Sequence, residues 1–450
     1  MSNMKSLVKK NKMLYSFCIK VKNRIPRKFY YTKDYFKIIE LLKLDSSKEL
    51  DFEKYRNKKL CELLKEVLEY VPYYKNLDLG ITSDDVTEKN SFEIFSKLPI
   101  IEKKIVMENP EKFINIKYKK SELKDETSGG STGEGIVLWR SDTENLLERS
   151  FYDYYWGKLG YKNSSRVVRM GCDAIKSENE NPCEIIGDRL LVSPYHLNDK
   201  WIQEIYTTIV NFQGEIFHVY PSCFEYLLRY MKEKNLRLNG YKGIFLVSEV
   251  INKNLLDMCK DISPNVPVVF SYGLSENTNL AWGIYENDKI SYKCDNVYGY
   301  SENLVNEEGF CEIVGTSYWN YAMPLIRYRT QDIGKIENGI ITNLDGRNQE
   351  ILITKQGQKV PGITICVDTF TWNYVDIIQA VQNEPGKIEF HIKPKNNFNS
   401  NIKESILKSQ IDKWGEMFDI SLIIDNEISK TKSGKVRLVV NNMRLGSRRE

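Results

Sequence analysis

The sequence predicts an α/β protein, in which a large layered domain is followed by a small α+β domain. Three observations support this fold class. From about residue 166, apolar runs rich in β-branched residues alternate with amphipathic helical patterns, as in a sheet with helices on its faces. Beyond residue 290 the pattern changes to short strands separated by turn residues. The chain has 450 residues, 41% of them hydrophobic, so it can bury more than one core.

The region before residue 160 is predicted to contain two long helices. Leu60, Leu64 and Val67 share one face of a helix over residues 51–71. Asp142 is a candidate N-cap for a second helix that runs through an aromatic-rich stretch.

The layered part is predicted from four strand-like runs, "RVVRMG", "GEIFHVY", "GIFLVSE" and "VPVVFSYG". The last two are almost continuously apolar, which is typical of buried parallel strands. The intervening helix opens at Ser222, and Glu225 stands three residues later, the spacing of a capping box.

The C-terminal part is predicted to form a separate unit whose boundary lies at the turn "LDGRN". It would comprise a hairpin, a helix and the strand "ISLIID", with Leu407, Ile411, Trp414 and Phe418 on one face of the helix. We therefore predict a large domain over 1–346, with 1–50 as a basic extension, and a small domain over 347–450.

Several functional classes are not favoured by the sequence. No run of 18 apolar residues predicts a transmembrane helix, and no signal peptide pattern is present, so a cytoplasmic location is expected. Nine scattered cysteines and three histidines form no zinc pattern and are interpreted as reduced, mostly buried thiols. No basic stripe interleaves with the aromatic residues, so nucleic acid is not expected as a partner.

Residues 1–28 contain nine basic side chains and no acidic one. Within them Leu7, Leu14, Phe17, Cys18 and Val21 recur at helical spacing. This pattern allows two interpretations: peripheral contact with an anionic membrane surface, at the inner face of the membrane, or a solvated helix.

The stretch "TSGGSTGEG" (127–135) is a candidate phosphate-binding loop. Closely spaced glycines let backbone N–H groups converge on an anion, and hydroxyl groups add donors. The predicted cofactor-binding residues are Thr127, Ser128, Gly129, Gly130, Ser131, Thr132 and Gly133. Glu134 stands where a P-loop NTPase has lysine, and no convincing strand leads into the loop as in a dinucleotide-binding fold. Taken alone, the loop could equally be a flexible surface turn.

Four further segments, in the same order, resemble motifs of the adenylate-forming enzymes. They are "FSYGLSENTNLAW" (270–282), "PLIRYRTQDIG" (324–334), "GRNQEILITKQGQKVPG" (346–362) and "ISKTKSGKVR" (428–437). Three others, "EVLEYVPYYKNL", "LPIIEKK" and "HVYPSCFEYL", are similar to the phenylacetate–CoA ligase branch, especially its CapK-type members linked to capsule polysaccharide synthesis.

The resemblance implies a mobile C-terminal domain and an ATP- and Mg²⁺-dependent reaction at the α-phosphate. It assigns catalytic roles to Lys435, Glu276 and Thr132, and makes Glu276 the Mg²⁺ ligand. It places Asp332 on the ribose and Arg347 on the ribose or phosphates. Around the adenine it places Ser248, Glu249, Ser271, Tyr272, Gly273 and Ser275. Gly357 would let the thiol arm of CoA pass, or is an ordinary hairpin glycine.

The chain departs from the family pattern at several positions. Gln349 stands at the hinge, Glu134 follows the phosphate loop, Gln331 replaces a glycine and Leu274 replaces a histidine. These changes put the hinge contacts, the loop exit and the acyl pocket in doubt.

The predicted function is a ligase that activates a carboxylic acid as an acyl-adenylate and transfers the acyl group to CoA. One alternative is an amide-forming ligase with an amino sugar or amino acid as acceptor, in surface polysaccharide synthesis. The other is a non-catalytic nucleotide-binding paralogue. That alternative is disfavoured by the presence of Glu276, Asp332, Arg347 and Lys435.

Overall fold

The computed structural model describes residues 11–127, 136–171, 174, 180–197, 200–249, 251–306, 309–347, 351–357, 359–361, 369–372, 374–425, 427–428, 437 and 439–443. Within these ranges the helices are α1 (Lys12–Arg24), α2 (Lys33–Ser46), α3 (Phe52–Tyr70), α4 (Pro72–Lys75), α5 (Ser91–Lys97), α6 (Lys103–Glu108), α7 (Asp142–Gly157), α8 (Ile202–Phe212), α9 (Pro221–Glu233), α10 (Lys253–Ile262), α11 (Thr369–Trp372) and α12 (Ser400–Trp414). Short 3-10 turns lie at Arg27–Phe29, Ser83–Asp85, Pro110–Phe113, Lys120–Glu122 and Pro194–His196.

The two predicted long helices are present, and their first residues follow from capping. The Asp51 side chain accepts a hydrogen bond from the Lys54 N–H at the start of α3. At α7 the cap is Ser141 and not Asp142, because Ser141 and Glu144 form a reciprocal capping box. Asp142 instead occupies the first turn, where its negative charge interacts favourably with the positive end of the helix dipole.

The strands, in chain order, are β1 (Lys124–Thr127), β2 (Val137–Arg140), β3 (Val167–Met170), β4 (Cys183–Ile186), β5 (Arg189–Val192), β6 (Ile216–Val219), β7 (Gly243–Leu246), β8 (Val268–Gly273), β9 (Leu280–Glu286), β10 (Lys289–Cys294), β11 (Gly299–Val305), β12 (Cys311–Ser317), β13 (Tyr328–Glu337), β14 (Ile340–Arg347), β15 (Ile351–Ile353), β16 (Lys359–Pro361), β17 (Val375–Gln382), β18 (Lys387–Pro394), β19 (Asp419–Ile424) and β20 (Val439–Asn441).

One large mixed sheet organises the chain up to β14. Its strand order is β11-β12-β13-β14-β10-β9-β8-β7-β6-β3-β5-β4. The strands β5, β3, β6, β7 and β8 are parallel, as the apolar runs predicted, and the pairings from β8 to β9 and onward are antiparallel. The antiparallel half corresponds to the short strands expected beyond residue 290.

Both faces of the parallel strands are buried. On one face Val168, Val219 and Leu246 pack with residues of α8, α9 and α10 in the largest core. On the other face Phe245 packs with Trp156 of α7 and with Ile216. Burial on both faces explains why these strands read as continuous apolar runs.

The residues after β14 form a second, smaller sheet with its own core. Its strand order is β19-β18-β17-β20, and Leu352, Ile378, Phe390, Ile406 and Phe418 are buried together. The predicted hairpin is formed by β15 and β16.

The predicted face of the C-terminal helix is only partly correct. Ile406 and Gln410 of α12 are buried, whereas the Ile411 side chain is 45% exposed. The buried face runs along positions 402, 406, 410 and 414. Gln410 therefore occupies the inward position that the sequence pattern assigned to Ile411. Phe418 is buried, but it lies beyond the end of the helix.

Within the described residues, no helix combines the length and the apolar character needed to cross a bilayer.

Candidate active site

The candidate site lies at the carboxyl edge of the parallel strands. In α/β sheets, ligands bind outside this edge, where the connecting segments converge. Ser248 and Glu249 follow β7, and the segment 274–279 follows β8, so both sit directly after neighbouring parallel strands. Residues 274–279 of the motif are therefore placed at this edge by the fold.

The hydroxyl group of Tyr272 donates a hydrogen bond of 2.8 Å to Oδ2 of Asp332. Tyr272 is the penultimate residue of β8, and Asp332 lies on β13, 60 residues later. Both side chains are buried. Two of the predicted nucleotide-binding motifs are thus joined at one buried point.

An irregularity in β13 directs Asp332. Arg329 pairs with Val314 and Ile333 with Glu312, so three residues of β13 face one residue of β12. The Thr330 hydroxyl donates to the Ile313 carbonyl at 2.7 Å, and its oxygen accepts the Asp332 N–H at 3.0 Å. Thr330 therefore fixes the backbone on both sides of Gln331.

Glu276 is a buried carboxylate, 3% exposed. The Tyr328 hydroxyl donates to its Oε1 at 3.4 Å. The side-chain oxygen of the next residue, Asn277, is buried and has no hydrogen-bond partner among the described residues. Carboxylate and amide oxygens are ligands or water-mediated partners that Mg²⁺ accepts, so this donor set is compatible with the predicted metal.

Arg140, at the end of β2, connects the phosphate-loop hairpin to this segment. Its guanidinium group donates to the backbone carbonyl of Ser275, and it lies 3.5 Å from both Glu126 and Glu148. The Asn277 amide donates to Glu148 at 3.2 Å. Burial raises the pKa of Glu148, and the charge of Arg140 opposes that shift.

Glu249 also holds the start of α9. Its two carboxylate oxygens accept hydrogen bonds from the Ser222 N–H at 2.8 Å and from the Ser222 hydroxyl at 3.0 Å. The predicted Ser222–Glu225 capping box is therefore wrong, because the helix begins at Pro221 and Glu225 contacts Arg229 instead. Ser248 has a φ of 68°, an uncommon conformation for serine that is enriched at functional sites.

The other predicted adenine-site residues differ in exposure. The side chain of Ser271 is half-buried and hydrogen-bonded to Tyr152, whereas Gly273 and Ser275 are exposed. A Cβ atom added at Gly273 would meet its neighbours no closer than 3.5 Å, so the described residues alone do not require glycine there. Leu274, which replaces the histidine of the family pattern, packs against the main core.

The candidate phosphate loop is closed by a hairpin. Thr127 ends β1 and pairs with Val137 of β2. The expectation that no strand leads into the loop is wrong, since Lys124–Thr127 is such a strand, although it is antiparallel and not part of the parallel sheet. The side chain of Thr127 and the loop residues Ser128, Gly129, Gly130, Ser131, Thr132, Gly133 and Glu134 lie outside the described residues.

The remaining predicted residues belong to the boundary and the small unit. Arg347 pairs with Asp332 in the β13–β14 register, which places the two backbones side by side. Gly357 has a φ of 76° and donates its N–H to Thr354 at the β15–β16 turn, as expected for a hairpin glycine. The side chain of Arg347, and Gln349 and Lys435, lie outside the described residues.

Several residues that build the site were not predicted. Tyr328 and Thr330 belong to the segment "PLIRYRTQDIG", from which only Asp332 was selected as a site residue. The family motif could therefore have indicated both residues. Arg140 had a weaker signal, a single cation at the end of an apolar strand after the loop. Nothing in the sequence indicated that Tyr152 reaches Ser271.

Three comparisons with known proteins concern the fold and the resemblance of the chain. Residues 352–442 match the family described as the CapK C-terminal domain. The chain is 24% identical over 452 residues to Protein CapK of Staphylococcus aureus, covering 95% of this chain and 96% of that protein.

Among solved structures, the chain resembles 2-hydroxyisobutyryl-CoA ligase in the postadenylation state with 2-HIB-AMP, with a TM-score of 0.62 and 14% identity, covering 86% of this chain and 88% of that chain. The complex of the same ligase with R3-HIB-AMP gives 0.61, at the same identity and coverage. These comparisons confirm the α/β fold and the resemblance to CapK and to adenylate-forming ligases.

Proposed function

We propose that the protein is an ATP-dependent, adenylate-forming ligase. A carboxylate oxygen attacks the α-phosphate of ATP, the bond to pyrophosphate breaks, and an acyl-adenylate forms. The acyl carbon is then attacked by a nucleophile, and AMP leaves with the electron pair of the C–O bond. The observation that carries this proposal is the buried hydrogen bond between Tyr272 and Asp332 at the carboxyl edge of the sheet.

Asp332 is proposed to accept hydrogen bonds from the two ribose hydroxyls, because a carboxylate held in one orientation can accept from both. The Tyr272 hydroxyl fixes that orientation, and Thr330 fixes the backbone. Arg347, paired in register with Asp332, is proposed to reach the ribose or the phosphates from the adjacent strand.

Glu276 is proposed to hold Mg²⁺, directly or through water. When bound, the ion would neutralise charge on the phosphates of ATP. The Tyr328 hydroxyl donates a hydrogen bond to Glu276, and Arg140 donates one to the backbone carbonyl of Ser275, the residue before Glu276. These two contacts would hold the Glu276 carboxylate in position. Neither contact is an ion pair with Glu276, so its negative charge stays available to the metal.

The phosphate loop and Lys435 are proposed to act on opposite sides of the scissile bond. Backbone N–H groups and hydroxyls of 127–133, including Thr132, would hold the leaving pyrophosphate. Lys435 would neutralise the charge that develops at the α-phosphate, a contribution of about 3–4 kcal/mol in comparable sites.

The acceptor is proposed to be the thiol of CoA. The similarity of fold to a CoA ligase supports this choice. Gly357 lies at an exposed tight turn, and the family resemblance assigns this glycine to the passage of the thiol arm. An amine, such as an amino sugar or amino acid, is the second candidate acceptor and would yield an amide.

The adenylation proposal is tested by measuring pyrophosphate release with ATP, Mg²⁺ and a panel of carboxylic acids. We expect at least one acid to stimulate release, and Asp332→Ala to raise the KM for ATP, because the ribose loses its acceptor. Asp412→Ala removes an exposed carboxylate from α12 and serves as the control. Release that no acid stimulates would favour the non-catalytic alternative.

The acceptor is tested separately, with the acid that gives the strongest release. CoA and then amino sugars and amino acids are added, and the products are identified by mass spectrometry. A thioester supports the CoA proposal. An amide formed in the absence of any thioester contradicts it and leaves the adenylation proposal intact.

A further inference from the structure

Helix α1 carries the densest group of exposed apolar side chains in the described part of the chain. Met13 is 85% exposed and Phe17 63%, and Leu14 and Val21 are also exposed. Ile25 and Phe29, which follow the end of the helix, are exposed as well. No residue of this helix is buried. Exposed apolar groups of this density are uncommon on a surface that faces only water.

The opposite face of α1 is attached to the large sheet at its β4–β5 edge. Lys12 forms an ion pair of 2.8 Å with Glu184, and the Ser16 oxygen accepts the Gly187 N–H at 2.8 Å. Asn23 and Arg24 both donate to Asp188, which is buried. These contacts set the rotation of the helix about its axis.

Gly187, at the turn between β4 and β5, lets the helix approach closely. Its φ is 61°, and a Cβ atom there would lie 2.4 Å from the side chain of Ile19. The close approach of α1 to this turn therefore depends on glycine, and Ile19 and the polar residues beside it pack the helix against the domain. The exposed residues Met13, Phe17 and Val21, called the apolar stripe below, point away from this contact.

The arrangement around the helix axis is that of an interfacial helix. At 3.6 residues per turn, the docked residues 12, 16, 19 and 23 fall within an arc of about 60°, and the long side chain of Arg24 reaches Asp188 from outside this arc. Val21 lies about 170° from the centre of this arc, Phe17 about 130° and Met13 about 90°, and Lys20 and Lys22 flank the three apolar residues. Lysines beside an apolar stripe can extend towards lipid headgroups while their stems cover apolar surface.

The charge of this segment points to an anionic partner. Residues 11–29 contain six basic side chains and no acidic one. Lys12, Arg24 and Arg27 form ion pairs with carboxylates of the large domain, so the charge offered to a partner is that of Lys20, Lys22 and Lys28. A second copy of the chain would present the same positive charge and be repelled, which argues against self-association through this face. An anionic lipid surface offers both the charge and the apolar layer that the stripe needs.

We propose that residues 11–29 bind an anionic membrane surface, with α1 lying in the plane of the headgroups and its stripe of Met13, Phe17 and Val21 inserted. The large domain remains outside the bilayer, held through the contacts of Asp188 and Gly187. The binding is peripheral and reversible, because one short helix buries a limited apolar area.

The test is co-sedimentation of the full chain with vesicles of phosphatidylcholine alone or mixed with phosphatidylglycerol. We expect pelleting with the anionic vesicles only, decreasing as salt is added. Met13→Ser/Phe17→Ser/Val21→Ser should weaken vesicle binding by at least about tenfold. Lys20→Gln/Lys22→Gln should weaken it by roughly fivefold for each lysine.

Matched controls change exposed side chains elsewhere. Ile116→Ser/Val305→Ser removes two apolar groups of similar exposure, and Lys58→Gln/Lys289→Gln removes two exposed charges. Both controls should bind vesicles like the parent, and circular dichroism should show that all variants are folded. Equal pelleting with neutral vesicles, unchanged binding of the triple variant, or a dimer that the triple variant abolishes would overturn the proposal.

Discussion

Gln331 occupies a backbone position that ordinarily belongs to glycine. Its φ is 63°, in the left-handed region, where a side chain with a Cβ costs roughly 1–2 kcal/mol. The residue lies between Thr330 and Asp332, so the strained position directly precedes the carboxylate proposed to bind ribose. The departure from the family pattern at this position is thus accommodated by the backbone, which retains the turn.

Replacing this residue should stabilise the fold. Gln331→Gly is expected to raise the free energy of unfolding by about 1 kcal/mol, because relief of the strain exceeds the entropy that glycine adds to the unfolded chain. Urea denaturation measures the change. Gln356→Gly, at an exposed position without a positive φ, should give no gain. A loss of stability in Gln331→Gly would show that the side chain contributes more than its backbone strain costs.

Asp295 provides a prediction for pH. Burial raises the pKa of this carboxyl from 3.8 to about 6, although Trp282 and the N–H groups of Val297 and Tyr298 donate to it. Because the folded pKa is the higher one, the folded state retains a proton that the unfolded chain has lost between about pH 4 and pH 6. The free energy of unfolding should therefore fall as pH rises through this window, by at most about 3 kcal/mol.

This pH effect is isolated by comparing the parent with Asp295→Asn. Denaturation is measured from pH 4 to pH 7, and the difference between the two proteins should change in favour of the variant as pH rises. The absolute stability of the variant does not matter, since only the change with pH in the difference between the two unfolding free energies reports on the Asp295 carboxyl. Parallel pH profiles would contradict a raised pKa at this position.

At the residue scale, candidate site residues could be selected from the sequence where a segment resembled a family motif. Asp332 and Glu276 were found through the family resemblance, and the structure places both in buried positions near the carboxyl edge. The hydrogen bond from Tyr272 to Asp332 could not be predicted, because it depends on the packing of strands 60 residues apart. The roles of Asp332 and Glu276, like those of Thr132, Arg347 and Lys435, stay predictions.

At the scale of elements, Arg140 links the β1–β2 hairpin to the segment after β8. Arg140 is 7% exposed, and its guanidinium group contacts the Ser275 carbonyl and the carboxylates of Glu126 and Glu148. Removing it would leave the partly buried carboxylate of Glu148 without its main cation. The hairpin that encloses the candidate phosphate loop would then lose its attachment to the motif segment.

A double-mutant cycle tests this link. Arg140→Ala should lower the free energy of unfolding by about 2 kcal/mol, and Glu148→Ala should cost less once Arg140 is absent, with a coupling of about 1 kcal/mol or more. The exposed pair Lys97–Glu93 is the control, for which coupling should stay below about 0.5 kcal/mol. Additive effects at Arg140 and Glu148 would mean that the two side chains do not stabilise each other.

Element prediction succeeded where burial dictated the pattern. The parallel strands β3, β6, β7 and β8 were predicted because they are apolar on both faces. Strand β1 was missed because "KDET" is polar and its described side chains are exposed, which leaves only backbone pairing to define it. The inward face of α12 was misjudged at one position, since Gln410 is buried where Ile411 was expected.

At the scale of the whole molecule, two sheets with separate cores account for the change of pattern along the chain. The layered core gathers residues from β3 to β14, and the smaller core gathers residues from 352 onward. The Tyr226 hydroxyl donates to Asp376 at 3.0 Å, which joins α9 to the first strand of the small sheet. The order of the two units followed from the sequence, whereas this contact between them did not. The boundary at residue 346 remains a prediction, as does the mobility of the small unit.

The central claim is that the protein activates a carboxylate at the α-phosphate of ATP with the help of a lysine from the small unit. The most direct test is carboxylate-dependent exchange of labelled pyrophosphate into ATP, measured for the parent, Lys435→Ala and the neighbouring control Lys432→Ala. We predict exchange by the parent and the control, and a loss of roughly 10²–10³ in rate for Lys435→Ala. Exchange that is unchanged in Lys435→Ala, or absent from the parent with every acid tried, would contradict this claim.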